Sequence, residues 1–287
     1  MGFQGQKIRV NGIEMNVLIA GEGPDVLLVH GFPDTHKVWR HVIPALVSAG
    51  FRVIAPDTRG CGETEMSAGV GFYRIETLVA DLVGLLDALG IQKVRLIGHD
   101  WGAVQAWRLV LNFPHRVDRY VALSVGHPAA YARGGLEQKL KGYYILLLQM
   151  RGIAEFVATW NDWRVFRLMT RYPDEMPQWR QALSRPGRLT AGMNYYRANR
   201  GLMVPAQYPP ALVPVFGIRS SGDLFLTEAQ MVNSAGHVRA TWRYQRIDGA
   251  NHWIPLTAPD RLNPLLVEYL STPGTELKRD LTTIRTP

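Results

Sequence analysis

The stretch GHDWG at residues 98–102 decides the interpretation of this chain, because it joins a strand pattern to a helix pattern. The run KVRLIG at 93–98 has the apolar composition of a buried strand, and a helix is predicted to begin near Gly102. Two glycines around Asp100 permit a sharp turn that presents one side chain at the end of the strand. An Asp in such a turn is also a good N-cap residue for the helix. The position directly after a strand favours the interpretation in which Asp100 is a nucleophile.

A carboxylate nucleophile performs a different reaction from the serine of an esterase. It needs no deprotonation, so it attacks an sp³ carbon directly and forms an alkyl ester. A histidine must then activate the water that hydrolyses this ester, and an acidic residue must orient the histidine. Asp223 follows a predicted strand at 213–218, and His252 follows another at 244–247. The stretch SVGH at 124–127, an alternative position for the acid, contains no carboxylate, so Asp223 is the predicted acid.

Hydrolysis of the ester also requires two backbone N–H donors for the tetrahedral oxyanion. Trp101, the residue after the nucleophile, supplies the first of these donors. The motif HGFP at 30–33 ends another predicted strand and supplies the second, with Phe32 as the expected donor. Together with the nucleophile, base and acid, this oxyanion hole completes the set of groups needed to form and hydrolyse an ester.

Strand and helix patterns alternate along the first third of the chain and return after residue 211. The pair Asn11-Gly12 separates two strand patterns and predicts a hairpin turn. From about residue 127 to residue 210, strand signals stop and helical segments rich in Trp, Tyr, Met and Arg replace them. These helices are predicted at 136–149, 153–160, 163–171 and 189–200. We therefore predict an α/β fold with a mostly parallel, twisted sheet, in which residues 1–127 and 211–287 form the core and residues 128–210 an inserted helical cap.

The composition is that of a globular protein, with 47% hydrophobic and 20% charged residues among 287. The net charge of +8 comes without a Lys/Arg-rich block or a nucleic-acid motif, so a nucleic-acid partner is not expected. No apolar run is long enough to span a bilayer, and the first residues lack the apolar region of a secretory signal. With Cys61 as the single cysteine, these features predict a cytoplasmic protein. The histidines form no HxxxH or HExxH pattern, so no metal or other cofactor is expected.

These motifs resemble those of the epoxide hydrolase branch of the α/β-hydrolase superfamily. The resemblance covers nearly the whole chain and rests on HGFP at 30–33, DTRGCGET at 57–64, GHDWGA at 98–103, Asp223 and His252. It implies an α/β-hydrolase fold and the conversion of a lipophilic epoxide and water to a vicinal diol, through a covalent ester on Asp100. We interpret the DTRGCGET segment as structural, with a local ion pair between Asp57 and Arg59.

In epoxide hydrolases, two lid tyrosines donate hydrogen bonds to the epoxide oxygen and stabilise the alkoxide that forms. The resemblance assigns the second of these roles to Tyr196, in the segment NYYR at 194–197. It assigns the first to Tyr144, counted back from the GIAE segment that follows. Tyr143 and Tyr195 are rivals, because adjacent residues of a helix point about 100° apart and only one of each pair can face the cleft.

Two other functions use the same scaffold. A haloalkane or haloacid dehalogenase shares the Asp–His–Asp machinery but needs side-chain N–H donors for the departing halide. Trp101 offers one such donor, whereas Phe32 offers none, and fluoroacetate dehalogenases carry Arg where this chain has Trp101. A non-catalytic ligand-binding module is the second alternative, and the complete set of nucleophile, base and acid argues against it. The sequence is compatible with a homodimer but does not determine the oligomeric state.

Overall fold

The computed structural model describes residues 5–273 and Glu276. The predicted core begins at residue 1 and ends at residue 287, so both of its ends lie outside the described residues. The strands are β1 (Gly5–Val10), β2 (Ile13–Ala20), β3 (Asp25–Val29), β4 (Arg52–Pro56), β5 (Val94–His99), β6 (Val117–Leu123), β7 (Val215–Gly222) and β8 (Trp242–Asn251). The α-helices are α1 (Val42–Ser48), α2 (Ile75–Ala88), α3 (Trp101–Asn112), α4 (Pro128–Ala132), α5 (Gly135–Lys141), α6 (Tyr144–Leu148), α7 (Ile153–Thr170), α8 (Met176–Leu183), α9 (Arg188–Ala198), α10 (Glu228–Val232), α11 (Ile254–Thr257) and α12 (Pro259–Ser271).

The strands form one sheet in the order β1-β2-β4-β3-β5-β6-β7-β8. β1 pairs with β2, and β2 with β4, in antiparallel register, whereas β4 and all later neighbours in the sheet run parallel. The hairpin predicted between β1 and β2 is confirmed. Asn11 and Gly12 both have positive φ, at 45° and 81°, as the tight turn of a two-residue hairpin requires.

The parallel strands are buried on both faces, as their apolar sequences predict. In β3, Val26 and Leu28 pack into one hydrophobic cluster, while Leu27 and Val29 pack into another. All four side chains are fully buried. Alternate residues of a strand point to opposite faces, so helices cover the sheet on both sides.

The loops that carry the predicted site residues leave the sheet at the same edge. Asp100 follows β5, Asp223 follows β7 and His252 follows β8. The HGFP loop follows β3, which lies next to β5 in the sheet. Because these strands run parallel, their carboxyl ends meet at one edge, where ligands of open α/β sheets bind.

Between β6 and β7 the described chain forms six α-helices, α4 to α9, and no strand. We call residues 128–210 the helical insert. The single helix predicted at 136–149 is wrong: it is divided into α5 and α6, because Gly142, a poor helix former, ends α5. The predicted break near residue 160 is confirmed, since residues 160–163 of α7 have non-helical backbone angles. Helix α8 had no counterpart in the prediction.

The outer surface of the insert is unusually apolar. Its exposed large apolar side chains are Leu136, Leu140, Tyr143, Leu146, Met150, Ile153, Phe156, Trp160, Leu168 and Val204. Single exposed apolar residues are normal, but a concentration of them in one segment is typical of interaction surfaces. No helix among the described residues is both long and apolar enough to cross a bilayer.

The ion pair predicted between Asp57 and Arg59 is wrong. The Arg59 guanidinium instead makes two hydrogen bonds to the carboxylate of Asp81 on α2, both at 2.7 Å. Asp57 accepts from the ring Nδ1 of His36 at 2.8 Å and from the amide of Asn16 at 2.9 Å. Both partners are distant in sequence, so the packing of α2 and β2 against this loop, rather than proximity in sequence, determines the pairing.

Candidate active site

The turn between β5 and α3 holds Asp100 in a strained conformation. Its φ and ψ are 53° and −124°, and its side chain makes no capping hydrogen bond although it occupies the N-cap position of α3. A Cβ atom at Gly102 would lie 1.9 Å from the Val29 carbonyl oxygen, so only glycine permits this close approach. The N-cap interpretation of Asp100 is therefore excluded, and its carboxylate is free to face the cleft.

The structure brings together the three residues that were predicted as nucleophile, base and acid. The Nδ1 atom of His252 donates to Oδ2 of Asp223 at 2.8 Å, and its Nε2 atom lies 3.6 Å from Oδ2 of Asp100. The other oxygen of Asp223 accepts hydrogen bonds from the backbone N–H groups of Phe225 and Leu226, at 2.8 and 3.0 Å. The acid is thus fixed by backbone donors, and it orients the imidazole towards Asp100.

The predicted oxyanion loop lies against the same carboxylate. The backbone N–H of Phe32 donates to Oδ1 of Asp100 at 2.9 Å, and Trp101 begins α3 directly after the nucleophile. A Cβ atom at Gly31 would lie 2.3 Å from this oxygen, which explains the glycine in HGFP. The two oxygens of Asp100 therefore have different surroundings: Oδ1 faces a backbone donor and Oδ2 faces His252.

Charge strongly favours an imidazolium at His252. Burial disfavours the charged ring, but the carboxylates of Asp223 and Asp100 outweigh burial and raise the pKa of His252 to about 10. Burial acts to raise the pKa of Asp223, yet His252 and the backbone donors hold it below its usual value. The unliganded site consequently contains a cation between two anions.

The structure separates the four candidate tyrosines of the insert. Tyr144 and Tyr196 line the space above Asp100. Tyr143 is 68% exposed and faces away from it. Tyr195 is buried, and its hydroxyl donates to the carbonyl oxygen of Arg59 at 2.7 Å. Of each neighbouring pair, only the residue assigned by resemblance is therefore placed to meet a substrate.

The two inward-facing phenols, Tyr144 and Tyr196, contact each other and stay protonated. Burial raises the pKa values of Tyr144 and Tyr196 well above the usual value for tyrosine, so both keep their protons at neutral pH. The ring of Tyr196 lies edge-on to the rings of Tyr144 and Trp101, with the centroids 6.1 and 5.1 Å apart. Each phenol therefore brings one hydroxyl donor to the space above Asp100.

Two largely apolar cavities meet at the nucleophile. The first contains the base and is lined by residues that include Leu148, Val157, Phe166, Met169, Met193 and Trp253. The second extends along α3 and is lined by residues that include Val104, Arg108, Val125, Ile145, Leu202 and Met203. Both are bordered by Asp100, Tyr144, Tyr196 and Phe225. With their open mouths included, the empty space of the two cavities is about 630 and 800 Å³.

Comparisons with known proteins agree with this geometry. The family model for the alpha/beta hydrolase fold matches residues 24–259. The chain belongs to the α/β-hydrolase family. It is 33% identical over 282 residues to the AB hydrolase superfamily protein YfhM of Bacillus subtilis, with 94% of this chain and 98% of that protein covered. It is 32% identical to Epoxide hydrolase A of Mycobacterium tuberculosis, again with 94% and 98% of the two chains covered.

A solved structure confirms the predicted fold class. Epoxide Hydrolase A from Mycobacterium thermoresistibile superposes on 94% of this chain, and on 98% of its own, with a TM-score of 0.81 and 29% sequence identity. The predicted epoxide hydrolase branch of the α/β-hydrolase family is supported by this similarity and by the relative from Mycobacterium tuberculosis.

In this α/β-hydrolase, several residues that sequence reasoning missed support the triad. Nε2 of His99 donates to the carbonyl oxygen of His252 at 2.9 Å, and burial lowers the pKa of His99 to about 4, which keeps it neutral. Lys141 on α5 donates to the carbonyl oxygen of Asp223 at 2.7 Å. Gln138, also on α5, donates to a carbonyl of the same loop at 2.9 Å. These contacts join segments that are distant in the chain, so no local sequence pattern predicts them.

Asp34 is a further residue of this site that the sequence interpretation did not identify. It is 4% exposed and accepts hydrogen bonds from the indoles of Trp179 on α8, at 2.8 Å, and Trp253 beside the base, at 3.0 Å. Burial is the main cause that raises the pKa of Asp34 to about 7. An acidic residue immediately after HGFP was the available signal. Its carboxylate links the core of this α/β-hydrolase to the helical insert.

Proposed function

We propose that this chain is an epoxide hydrolase that converts a lipophilic epoxide and water to a vicinal diol. The observation that carries the proposal is the arrangement around Asp100, whose carboxylate lies 3.6 Å from the imidazole of His252 and beneath two buried phenols. The names of the relatives support the same reaction. A carboxylate below two neutral hydrogen-bond donors suits the opening of a strained ring that carries an oxygen leaving group.

In the first step, Oδ2 of Asp100 attacks one ring carbon and forms an alkyl ester, while the bond from that carbon to the epoxide oxygen breaks. The electron pair of that bond remains on the oxygen. The hydroxyl of Tyr196 donates to this oxygen, with Tyr144 as the second donor, so that the alkoxide is stabilised and protonated. The raised pKa values of both phenols keep these protons available for donation.

In the second step, His252 removes a proton from a water molecule that attacks the ester carbonyl carbon. Oδ1 of Asp100 becomes the oxyanion, which the backbone N–H groups of Phe32 and Trp101 stabilise. When the oxyanion collapses, the bond from the carbonyl carbon to Oδ2 breaks, and Oδ2 leaves as the second hydroxyl of the diol with the proton that His252 had taken. The remaining proton of the water leaves the new carboxyl group, which restores the carboxylate and, through solvent, the phenol. Esterification removes the negative charge of Asp100, one of the two charges that raise the pKa of His252. The first step thereby makes His252 a better base for the second.

The helical insert acts as the cap of this enzyme, over residues 128–210, on a core formed by residues 1–127 and 211–287. The insert side chains that line the first cavity are apolar apart from the two phenols and Thr170, and they cover the carboxyl edge of the sheet. An apolar cavity wall at this place keeps bulk water away from the alkoxide and strengthens its hydrogen bonds to Tyr144 and Tyr196. It also explains the preference for a lipophilic substrate.

The choice of an epoxide over a halide rests on the donors around Asp100. The indole N–H of Trp101 could serve a departing halide as one donor. The neighbouring Phe32 has no side-chain N–H to serve as the second donor. Tyr144 and Tyr196, by contrast, supply two phenolic donors for an oxygen leaving group. We therefore favour epoxide hydrolysis over dehalogenation.

The test is a trapping experiment with the variant His252→Gln, which should form the ester but hydrolyse it slowly. After exposure to styrene oxide, its intact mass should increase by the mass of the whole epoxide, and peptide mapping should locate the adduct on Asp100. The matched control is the double variant with Asp100→Asn, which should remain unmodified. An alkyl adduct from a bromoalkane, with none from the epoxide, would assign dehalogenation instead. If neither adduct forms, the proposal of a catalytic Asp100 fails.

We further propose a cytoplasmic homodimer that pairs through the helical insert. The exposed residues Ile153, Phe156 and Trp160 are spaced three and four apart, so they share one face of the first part of α7. Light scattering should give twice the mass of one chain, and Phe156→Ser with Trp160→Ser should give a monomer. A monomeric wild-type protein would contradict the dimer, and cell fractionation tests the location.

A further inference from the structure

Arg108 is a charged residue in the wall of the otherwise largely apolar second cavity. Trp101, Val104 and Arg108 are spaced three and four residues apart on α3, so they share one helix face, and all three line this cavity. With a rise of 1.5 Å per residue, the backbone of Arg108 lies about 10 Å along the helix axis from that of Trp101. The cavity therefore has the nucleophile at one end and a guanidinium at the other.

The guanidinium of Arg108 has unused hydrogen-bonding capacity. Its Nε atom is buried and has no hydrogen-bond partner among the described residues. One Nη atom lies 3.5 Å from the carboxylate of Glu76, whose side chain is 67% exposed, so this contact contributes little. The ring of Tyr208 holds the group from one face, with its centroid 5.3 Å from Cζ, and uses none of the donors. Because Nε is enclosed by protein, the Nη atoms, whose one hydrogen-bond contact in the described part of the chain is the weak one with Glu76, are the donors that Arg108 can offer to a ligand in the second cavity.

Asn199, whose side-chain amide lies in the same cavity wall, differs from Arg108 because all of its hydrogen-bonding groups have partners in the fold. The amide nitrogen of Asn199 donates to the carbonyl oxygens of Tyr73 and Tyr195, at 2.8 and 2.7 Å. Its oxygen accepts from the backbone N–H of Ile75 at 2.8 Å. Asn199 therefore serves the fold, and Arg108 is left as the cationic group able to bind an incoming anion.

We propose that Arg108 binds the carboxylate of an amphiphilic substrate, an epoxide on an aliphatic chain with an acid group at one end. A planar guanidinium suits a carboxylate because it can form two parallel hydrogen bonds. The chain between the acid and the epoxide lies along Val104, and the remaining tail enters the first cavity. This inference rests on the proposed function and narrows its substrate class to long-chain epoxy acids.

The experiment compares two substrates that differ only in charge, the epoxide of oleic acid and its methyl ester, with styrene oxide as a small neutral reference. For wild-type protein, the acid should be preferred over the ester. For Arg108→Met, kcat/KM for the acid should fall roughly 10- to 100-fold, mainly through KM. The values for the ester and for styrene oxide should stay near those of the wild type, since neither places a charge at position 108.

Two matched variants keep the test informative if Arg108→Met folds poorly, which circular dichroism would reveal. Glu76→Gln removes the nearby carboxylate and leaves Arg108 in place, so the preference for the acid should persist or increase. Arg108→Gln retains a polar side chain without its charge, so the preference should be lost. Added salt should reduce the preference of the wild type, because Arg108 is partly exposed to solvent.

The outcomes separate this inference from the proposed function. If the wild type hydrolyses none of the three epoxides, the proposed function itself fails. If it hydrolyses styrene oxide and the ester but shows no preference for the acid, the enzyme is an epoxide hydrolase and the role of Arg108 is overturned. A series of epoxy acids with increasing separation between the two groups adds a geometric check: the preference should be greatest at one separation and fall for shorter and longer chains.

Discussion

The sheet edge and the helical insert contribute to the same site in different ways. The sheet edge supplies its three ionisable groups, Asp100, Asp223 and His252, which backbone turns and direct hydrogen bonds fix in place. The insert supplies two phenols, Tyr144 and Tyr196, which are held mainly by packing against other aromatic rings. Under the proposed function, this difference means that the sheet edge determines the reaction, whereas the insert determines which substrate is bound.

The two regions nevertheless touch closely. A Cβ atom at Gly192 on α9 would lie 2.3 Å from the ring of Phe32, the residue whose backbone faces the nucleophile. The ring of Tyr196 also lies edge-on to Phe32, with the centroids 6.0 Å apart. Substitutions in either region therefore test whether their roles are separate, and the size of the effect should depend on which region is changed.

The largest effect is expected at the sheet edge. Asp100→Asn removes the anionic nucleophile and should reduce turnover of styrene oxide by at least roughly a thousand-fold. Its melting temperature should not fall greatly, because the isosteric amide oxygen still accepts from the N–H of Phe32. The measurement is kcat by product chromatography beside thermal melting. Turnover that stays close to wild type would refute the mechanism, provided that spontaneous deamidation of the introduced Asn to Asp has not restored the nucleophile.

To exclude that last ambiguity, intact mass must show that residue 100 is still Asn, and Asp100→Ala serves as a control that cannot revert. The alanine variant should be equally inactive. If both variants are inactive while Asp174→Asn, an exposed substitution on the insert, is fully active, the reaction depends on the sheet edge as the comparison requires.

A smaller loss of turnover is expected from substitutions in the insert. The neighbours Tyr195 and Tyr196 should affect different quantities, stability in the first case and kcat in the second. Tyr196→Phe removes a proton donor to the epoxide oxygen and should lower kcat roughly 10- to 100-fold, with little change in melting temperature. Tyr195→Phe removes the hydrogen bond to the Arg59 carbonyl, which should lower the free energy of unfolding by about 1 kcal/mol and leave kcat near wild type. Single-turnover kinetics and denaturant melts measure the two quantities.

The opposite pattern would reverse the assignment of the lid residues. If Tyr195→Phe slowed ring opening and Tyr196→Phe only lowered stability, α9 would have to present a different face to the cleft. Tyr144→Phe is the companion substitution, and its kcat should also fall. Tyr143→Phe is the matched control, since that residue is 68% exposed and should affect neither property.

Much of the core could be predicted from the sequence because its signals are local. The hairpin at Asn11-Gly12 depends on two residues that tolerate positive φ. The turn at 98–102 depends on glycines that allow the backbone to pass close to β3. The order of Asp100, Asp223 and His252 along parallel strands then brings them to one edge, so the placement of the triad followed from the topology.

The rest could not be predicted because it depends on contacts between distant segments. Arg59 was expected to pair with Asp57, two residues away, but packing places it against Asp81. Asp34 looks like an ordinary loop acid until the indoles of Trp179 and Trp253 are brought to it from residues far along the chain. Amphipathic patterns also cannot show where Gly142 ends a helix and the chain turns.

The smallest effect is expected where the two regions are joined, at Asp34, and it should depend on pH. Burial raises the pKa of Asp34 from 3.8 to about 7, so the folded protein retains a proton that the unfolded chain loses near pH 3.8. This proton favours the folded state at low pH, and its contribution is lost as the pH rises from about 4 to about 7. Asp34→Asn has no such proton, so its melting temperature relative to wild type should rise across this interval.

Melting curves of both proteins from about pH 4 to about pH 8 measure this difference, which cancels the contributions of all other titrating groups. Loss of one hydrogen bond from Trp179 or Trp253 shifts the variant by an amount that does not change with pH, so only the slope is informative. The exposed Asp174→Asn should run parallel to wild type. A difference between Asp34→Asn and wild type that stays constant with pH would show that Asp34 titrates normally. The link between core and insert would then be an ordinary ionised carboxylate rather than a shared proton.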